Sequence, residues 1–227
     1  MQQFYASVSF CYKNAGYLFI LCLPVMTVEF TLVYFVMSLG IEPNMSETEV
    51  EVISSVAIPI FILLVLSLIL SVSILGGAMI SFKALSANNA MAPYQDLYLG
   101  TKKFFPLLLG YLIHSLAFSV GMLFLVFPGF FLYARLGLFP LYIMFEDNSA
   151  MDALNKSWHA TDEVAMKLFA LTAVFIGIQL IFSLIGGLTG IDSSIGFLAI
   201  ATLIKYATMM PLFYLFFSLY QSITLKQ

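Results

Sequence analysis

The chain has 227 residues, of which 62% are hydrophobic and only 9% are charged, whereas soluble domains carry about 25% charged residues. Because the exterior of a soluble domain must face water, this composition excludes a water-soluble domain and indicates an integral membrane protein. The net charge is only −3, and no basic run is present, so no nucleic acid is expected as a partner.

Six apolar stretches have about the length that a membrane crossing requires, which is roughly 20 apolar residues. The predicted fold is therefore an all-α integral membrane protein that forms a single multipass domain over residues 1–227. The six predicted spans cover residues 17–39, 55–82, 104–127, 129–145, 168–188 and 195–223. The first stretch is longer than the ~7–15 residues of a signal-peptide core, so we expect it to be retained as a span.

The fourth span is short and contains Arg135, so a re-entrant hairpin is the alternative to a full crossing. Pro128 and Gly129 are predicted to form the turn between spans three and four, because proline restricts the residue before it and glycine tolerates positive φ. Prolines inside the spans predict ordinary kinks, with the broken helices of a transporter site as the alternative. These prolines are Pro24, Pro59, Pro106, Pro140 and Pro211.

The distribution of lysines predicts that the N- and C-termini are both cytoplasmic, since cytoplasmic loops accumulate Lys and Arg. With this orientation the outer loops contain no Lys or Arg and carry acidic residues instead. The lysines of the predicted cytoplasmic segments are Lys13, Lys83, Lys102, Lys103, Lys156, Lys167 and Lys226.

Three segments on the predicted cytoplasmic side have one apolar face and are predicted to be short amphipathic interfacial helices. They cover residues 4–13, 93–100 and 149–159. In the third segment Met151, Leu154 and Trp158 fall on one face, and Ser149 with Asp152 forms a capping-box pattern at its start. Each segment precedes a lysine and two spans, which predicts a degenerate threefold repeat: six transmembrane helices arranged as three hairpins.

The segment from Phe127 to Phe169 reads FPGFFLYARLGLFPLYIMFEDNSAMDALNKSWHATDEVAMKLF. Its Pro-Gly, its apolar span ending near a proline, its acidic exit and its Ala-Leu…Ser-Trp helix resemble the YciC-type family of uncharacterised bacterial inner-membrane proteins. The segment is also similar to the related membrane domain of some glycerophosphodiester phosphodiesterases, and the C-terminal YLFFSLYQSITLKQ resembles the family's ending. The resemblance implies a multipass protein of the bacterial inner (plasma) membrane whose activity is unknown, and it supplies no catalytic residues.

Four ionisable residues lie inside the predicted spans, where a charge is costly and marks a candidate functional site. They are Glu29, His114, Arg135 and Lys205. We predict that Glu29 neutralises Lys205, with Arg135 as its alternative partner, because each unpaired charge costs about 2.5–3.5 kcal/mol. Arg135 is predicted to face the outer leaflet, where its guanidinium can hold a lipid phosphate. His114 is predicted to be a hydrogen-bonded packing residue.

The sequence contains no motif of catalysis, cofactor binding or metal binding, such as a phosphate-binding loop, a zinc-protease signature or a nucleophile elbow. Cys11 and Cys22 form no Cys-x-x-Cys or Cys/His cluster, which argues against a zinc site. We therefore expect that the protein is not an enzyme and takes no cofactor. An intramembrane enzyme built on Glu146, Asp147 and His159 is the least favoured alternative.

The composition and the interfacial segments favour a non-enzymatic membrane or lipid-associated factor whose partners are membrane lipids. A homo-oligomer or another membrane protein is the further candidate partner, because rows of small residues such as Ser73, Gly77 and Ser81 let helices approach closely. The alternative function is a small transporter or channel, which predicts that the four buried ionisable residues converge on one cavity.

Overall fold

The chain folds into α-helices in a computed structural model, which describes residues 2–39, 47–192 and 194–225. Within these ranges there is no strand, and a short 3-10 helix, Asp162–Val164, accompanies the α-helices. The α-helices are α1 (Gln2–Lys13), α2 (Ala15–Ser38), α3 (Glu47–Ser86), α4 (Pro93–Thr101), α5 (Phe104–Phe124), α6 (Val126–Leu136), α7 (Phe139–Glu146), α8 (Ala150–Ala160), α9 (Ala165–Thr189) and α10 (Ile195–Thr224).

Six helical segments are long and apolar enough to cross a membrane, which confirms the predicted number of spans. These segments are Ala15–Ser38, Val56–Ser86, Phe104–Phe124, Val126–Glu146, Asp162–Thr189 and Ile195–Thr224. Many of their large apolar side chains, including Phe105 and Leu123, point out of the protein. Hydrocarbon tolerates such a surface, and helices satisfy their own backbone hydrogen bonds there, so the fold suits a multipass membrane protein.

Consecutive spanning helices lie against each other: α2 contacts α3, α5 contacts α6, and α9 contacts α10. Helix α10 also contacts α1, α2 and α3. The ring of Phe82 in α3 lies 6.0 Å from that of Phe217 and 5.4 Å from that of Tyr214. The apolar core therefore includes the contact between the end of α3 and the C-terminal half of α10.

The short helix α4 approaches α3 very closely, because glycines face each other where the two helices cross. A Cβ atom added to Gly100 would lie 2.5 Å from the backbone nitrogen of Gly77 and 2.5 Å from the carbonyl oxygen of Ser73. Small residues permit such an approach of two backbones. The predicted row of Ser73, Gly77 and Ser81 therefore serves a contact within this chain.

The turn between the third and fourth spans lies at Leu125, whose backbone is extended with φ −166° and ψ 154°. The predicted turn at Pro128 and Gly129 is therefore wrong, since both residues already belong to the first turns of α6. Proline is tolerated at the start of a helix because its missing N–H has no partner there. Gly129 instead permits close packing: a Cβ on Gly121 would lie 2.7 Å from its Cα atom.

The fourth span consists of two helices, because α6 ends at Leu136 and α7 begins at Phe139. Pro140 lies in the first turn of α7 and not within a kinked helix. Helix α8 folds back along α7, and its Ser157 hydroxyl accepts a hydrogen bond from the backbone N–H of Leu138 at 3.1 Å. A side chain of α8 thus satisfies the backbone at the break in the span.

Candidate functional site

A cavity of about 240 Å³ lies inside the helical bundle and is lined by residues of α2, α3, α5, α6, α7 and α10. Three of the four predicted ionisable residues line it: Glu29 from α2, His114 from α5 and Lys205 from α10. Aromatic and aliphatic side chains form most of the remaining wall. The fold therefore brings three ionisable residues that are distant in sequence to one cavity.

Glu29 and Lys205 form the ion pair that the sequence predicted, with Lys205 Nζ 2.7 Å from Glu29 Oε2. The Tyr206 hydroxyl donates a hydrogen bond to the same carboxylate oxygen at 2.9 Å. The Ser71 hydroxyl lies 3.4 Å from Glu29 Oε1, which is long for a hydrogen bond, so Oε1 is only weakly engaged. Opposite charges attract strongly where the dielectric constant is low, and the pair therefore joins α2 to α10.

Lys205 lines the cavity and its ammonium group retains hydrogen-bonding capacity. Its ammonium group has three N–H donors, and one of them is directed at Glu29. The Lys205 side chain is 41% exposed, compared with 18% for Glu29. Its Nζ atom also lies 5.3 Å from the centroid of the Tyr206 ring, within the range of a cation–π interaction. The site is thus balanced in charge while the ammonium group can still donate hydrogen bonds.

His114 is buried and is part of the cavity wall. Its Nε2 lies 3.2 Å from the backbone carbonyl oxygen of Tyr133, and because a carbonyl only accepts, Nε2 is the donor. The other ring nitrogen, Nδ1, takes no part in this hydrogen bond. The imidazole ring also packs against Tyr133 and Phe139, at centroid distances of 4.5 and 5.4 Å. His114 is therefore a hydrogen-bonded packing residue that also contributes to the cavity wall.

Arg135 does not line the cavity, so the four ionisable residues do not all converge. Its guanidinium forms an ion pair with Asp162 and lies 4.2 Å from the centroid of the Trp158 ring. Its side chain is only 4% exposed, so the predicted contact with a lipid phosphate does not fit the structure. The physical reason is the return of α8 along α7, which brings Trp158 and Asp162 to the arginine.

The buried face of α8 differs from the predicted one. Ser149 Oγ accepts a hydrogen bond from the Asp152 N–H at 3.2 Å, as the capping pattern predicted. Of the three residues assigned to the apolar face, Leu154 is 5% exposed, but Met151 is 62% exposed and Trp158 is half-buried beside the guanidinium. Small residues adjacent to Leu154 complete the contact, so α8 packs on protein through a narrower face than the amphipathic pattern indicated.

Asp96 is a fully buried carboxylate that the sequence analysis did not identify. The Tyr17 hydroxyl donates to Asp96 Oδ2 at 2.5 Å, and the Ser81 hydroxyl donates to the same atom at 2.6 Å. Asp96 therefore connects α4 with α2 and α3. The sequence feature that could have revealed its burial is the row of small residues on α3. Such a row marks a helix face on which another helix, here α4, packs closely.

An apolar groove of about 380 Å³ lies between α1, α2 and α10, on the other side of Tyr206 from the polar cavity. Cys11 and Cys22 line this groove as free thiols. Burial raises the pKa of the Cys11 thiol to about 12, so this cysteine is hardly ionised at neutral pH. Because the thiolate is the reactive form, Cys11 should react slowly with thiol reagents.

The acidic residues at the turn between α7 and α8 have separate partners. Glu146 pairs with Lys156 at 2.9 Å, and Asp147 pairs with Lys103. His159 is exposed on α8. These three residues of the enzyme alternative form no nucleophile–base pair with one another. Over the described ranges, no three His, Cys, Asp or Glu side chains are close enough together to hold a metal ion.

Comparison with known protein families, with characterised proteins and with solved structures finds no match for this chain. The side chains around the polar cavity are therefore the basis on which a function can be assigned.

Proposed function

We propose that this chain is a non-enzymatic multipass membrane protein that binds a small polar solute within the bilayer, as small transporters do. One observation carries this proposal: Glu29, His114 and Lys205, from three different spans, line the same cavity. Ionisable residues inside membrane spans are costly, and they commonly mark the path or the binding site of a solute or ion.

The size of the cavity favours a ligand with few non-hydrogen atoms. Its volume of about 240 Å³ is smaller than the roughly 300–1,000 Å³ of pockets for drug-sized ligands. A mostly apolar wall with a few convergent polar groups is the usual composition of a small-molecule site. Three ionisable side chains in a mostly apolar wall agree with this pattern.

Prolines inside α2, α3 and α10 support the transporter class. Pro24, Pro59 and Pro211 each lie within a helix, where proline removes a backbone hydrogen bond and kinks the chain. Kinked or interrupted helices line the substrate sites of many transporters. Two of these helices also carry Glu29 and Lys205, so these prolines occur in helices that form the site.

The expected role as a lipid-associated factor has weaker support. The apolar groove beside Tyr206 is suitable for an acyl chain. However, apolar grooves on a lipid-facing surface fill with lipid in any membrane protein, so the groove does not favour a lipid-specific role. The polar cavity lined by Glu29, His114 and Lys205 is the more specific feature.

The proposal predicts that water and small solutes reach the cavity, and Ser115→Cys tests this. Ser115 lines the cavity. Ser119, one turn further along α5, is exposed on the outside of the helical bundle and is not part of the cavity wall. The thiolate of the introduced cysteine attacks a small charged methanethiosulfonate reagent and displaces methanesulfinate, and this thiolate forms in water and not in hydrocarbon. We expect Ser115→Cys to react at least about tenfold faster than Ser119→Cys, as thiolate formation controls the rate.

The unmodified protein provides the baseline for this experiment, because Cys11 and Cys22 are buried. Equal rates at the two introduced cysteines would show that the cavity gives water no better access than the outside of the bundle does, and the proposed solute site would then be wrong.

We also propose a bacterial inner-membrane location, a relationship to the YciC-type proteins and cytoplasmic N- and C-termini. In this arrangement α2–α3, α5–α6/α7 and α9–α10 are three hairpins, and α1, α4 and α8 are interfacial helices. The lysine asymmetry and the contacts between consecutive spans support it. In addition, Lys83 Nζ lies 4.8 Å from the Phe145 ring and Lys103 donates to the Ile143 carbonyl at 2.8 Å, so both lysines are at the same end of α7.

Single cysteines test this orientation in intact cells. Asp192, between α9 and α10, and Asn155, on α8, are both exposed. We expect Asp192→Cys to react with a membrane-impermeant thiol reagent added outside, and Asn155→Cys to react only after the cells are permeabilised. The reverse pattern, with Asn155→Cys labelled in intact cells and Asp192→Cys protected, would invert the topology.

A further inference from the structure

The ion pair in the cavity wall is balanced in charge but not in hydrogen bonding. Lys205 directs one N–H at Glu29 and remains partly exposed, so it can donate further hydrogen bonds. On Glu29, Oε2 accepts from both Lys205 and Tyr206, whereas Oε1 has only the long contact to Ser71. The site therefore presents donors on a cation and a weakly used oxygen on an anion.

The charge balance restricts which ligands fit. Glu29 and Lys205 already neutralise each other, so a ligand with a net charge would leave that charge uncompensated in a medium of low dielectric constant. An apolar ligand would gain nothing from the charged pair. A molecule with one positive and one negative group can engage both residues while the total charge of the site stays at zero.

We propose that the cavity binds a small zwitterion, with its anionic group on Lys205 Nζ and its cationic group on Glu29 Oε1. This inference rests on the proposed solute-binding function and names the class of solute. The volume of about 240 Å³ leaves room for only a compact ligand, so glycine is a suitable probe. The zwitterion partly replaces the direct contact between Lys205 and Glu29, and the Tyr206 hydroxyl continues to hold Glu29 Oε2.

Protection of Ser115→Cys by three small probes tests the proposal. Glycine carries both charges, acetate carries only the negative charge, and methylammonium carries only the positive charge. Glycine at about ten times its dissociation constant is expected to slow the thiol reaction about tenfold by mass action. Acetate and methylammonium at the same concentration are expected to slow it by less than about twofold, because each leaves the site with a net charge.

Variants of the ion pair should change which probe protects. With Glu29→Gln, Lys205 loses its counter-charge, so acetate is expected to become the strongest of the three probes. With Lys205→Met, Glu29 loses its counter-charge, so methylammonium is expected to give the strongest protection of the three probes. The second variant keeps the test decisive if Glu29→Gln folds poorly. Ser119→Cys is the control, and no probe should change its rate.

The outcomes separate the class of ligand from the function itself. If acetate or methylammonium protects as strongly as glycine when the ion pair is intact, the zwitterion proposal is overturned and solute binding stands. If Ser115→Cys reacts faster than Ser119→Cys but glycine gives no protection, the zwitterion proposal is also overturned. If the two cysteines react at equal rates, the solute-binding function fails.

Discussion

Glu29→Gln is expected to lower the free energy of unfolding by up to about 2.5–3.5 kcal/mol, the full cost of an unpaired charge in a membrane span. Gln retains the shape of the side chain but leaves the ammonium of Lys205, 2.7 Å away, without a counter-charge. Tyr206 also donates to the carboxylate and would then donate to a neutral amide oxygen. The measurement is the unfolding transition of purified protein in mixed micelles, followed by the loss of helical circular dichroism.

Two further variants show whether the loss of unfolding free energy comes from the unpaired charge of Lys205. Glu29→Gln combined with Lys205→Met removes both charges and is expected to recover most of the stability, since no charge remains alone. Glu146→Gln makes the same chemical change in the ion pair with Lys156 at the bundle end, where partial exposure limits the expected effect to about 1 kcal/mol or less. A double variant no more stable than Glu29→Gln alone would contradict the pairing.

Gly100→Ala is expected to destabilise the protein by about 1–3 kcal/mol, the usual range for a side chain forced into a filled space. The added Cβ would lie 2.5 Å from backbone atoms of Gly77 and Ser73, and backbone cannot move aside as a flexible side chain does. Since α4 also supplies the buried Asp96, its displacement would disturb the hydrogen bonds from Tyr17 and Ser81 as well. Unfolding in mixed micelles measures the change.

Gly177→Ala is the matched control, because an added Cβ at Gly177 meets no atom within 4 Å. The same substitution there should cause no loss, as alanine has the higher helix propensity. Equal effects of the two substitutions would show that the close crossing of α3 and α4 does not stabilise the fold.

The spans and the central ion pair could be predicted from the sequence, and the physical reason is the same for both. Lipid accepts only apolar helical surface, so the hydrophobic stretches predict the six membrane-crossing segments. A charge in such a span needs a partner, and Glu29 was the acid available to two bases. Of the two bases, Lys205 is the predicted partner of Glu29, and the structure places Lys205 Nζ 2.7 Å from its carboxylate.

The environment of Arg135 could not be predicted, because the prediction that it faces the outer leaflet assumed one continuous fourth span. The span instead breaks between α6 and α7, and α8 folds back to place Asp162 beside the guanidinium. A hydropathy pattern does not show that α8 folds back, because the break in the fourth span and the packing of α8 depend on tertiary contacts. One of these contacts is the hydrogen bond from the Leu138 N–H to Ser157.

Asp96 was missed for a related reason. Residues 93–100 were interpreted as an interfacial helix, in which an aspartate would face water. In the structure α4 packs on α3 through Gly77 and Gly100, so Asp96 is buried and held by two hydroxyl groups. Amphipathic spacing identifies a helix with two faces, but it does not say whether the second face meets solvent or another helix.

The rate of thiol modification at Ser115→Cys, measured with and without glycine, tests most directly whether Glu29, His114 and Lys205 surround a solute-binding cavity. The measurement is made with the ion pair intact and in the Glu29→Gln/Lys205→Met background. We expect a rate above that of Ser119→Cys, a decrease when glycine is added, and no effect of glycine in the double variant. The same rate at both cysteines, or equal protection by glycine with and without the ion pair, would contradict this expectation.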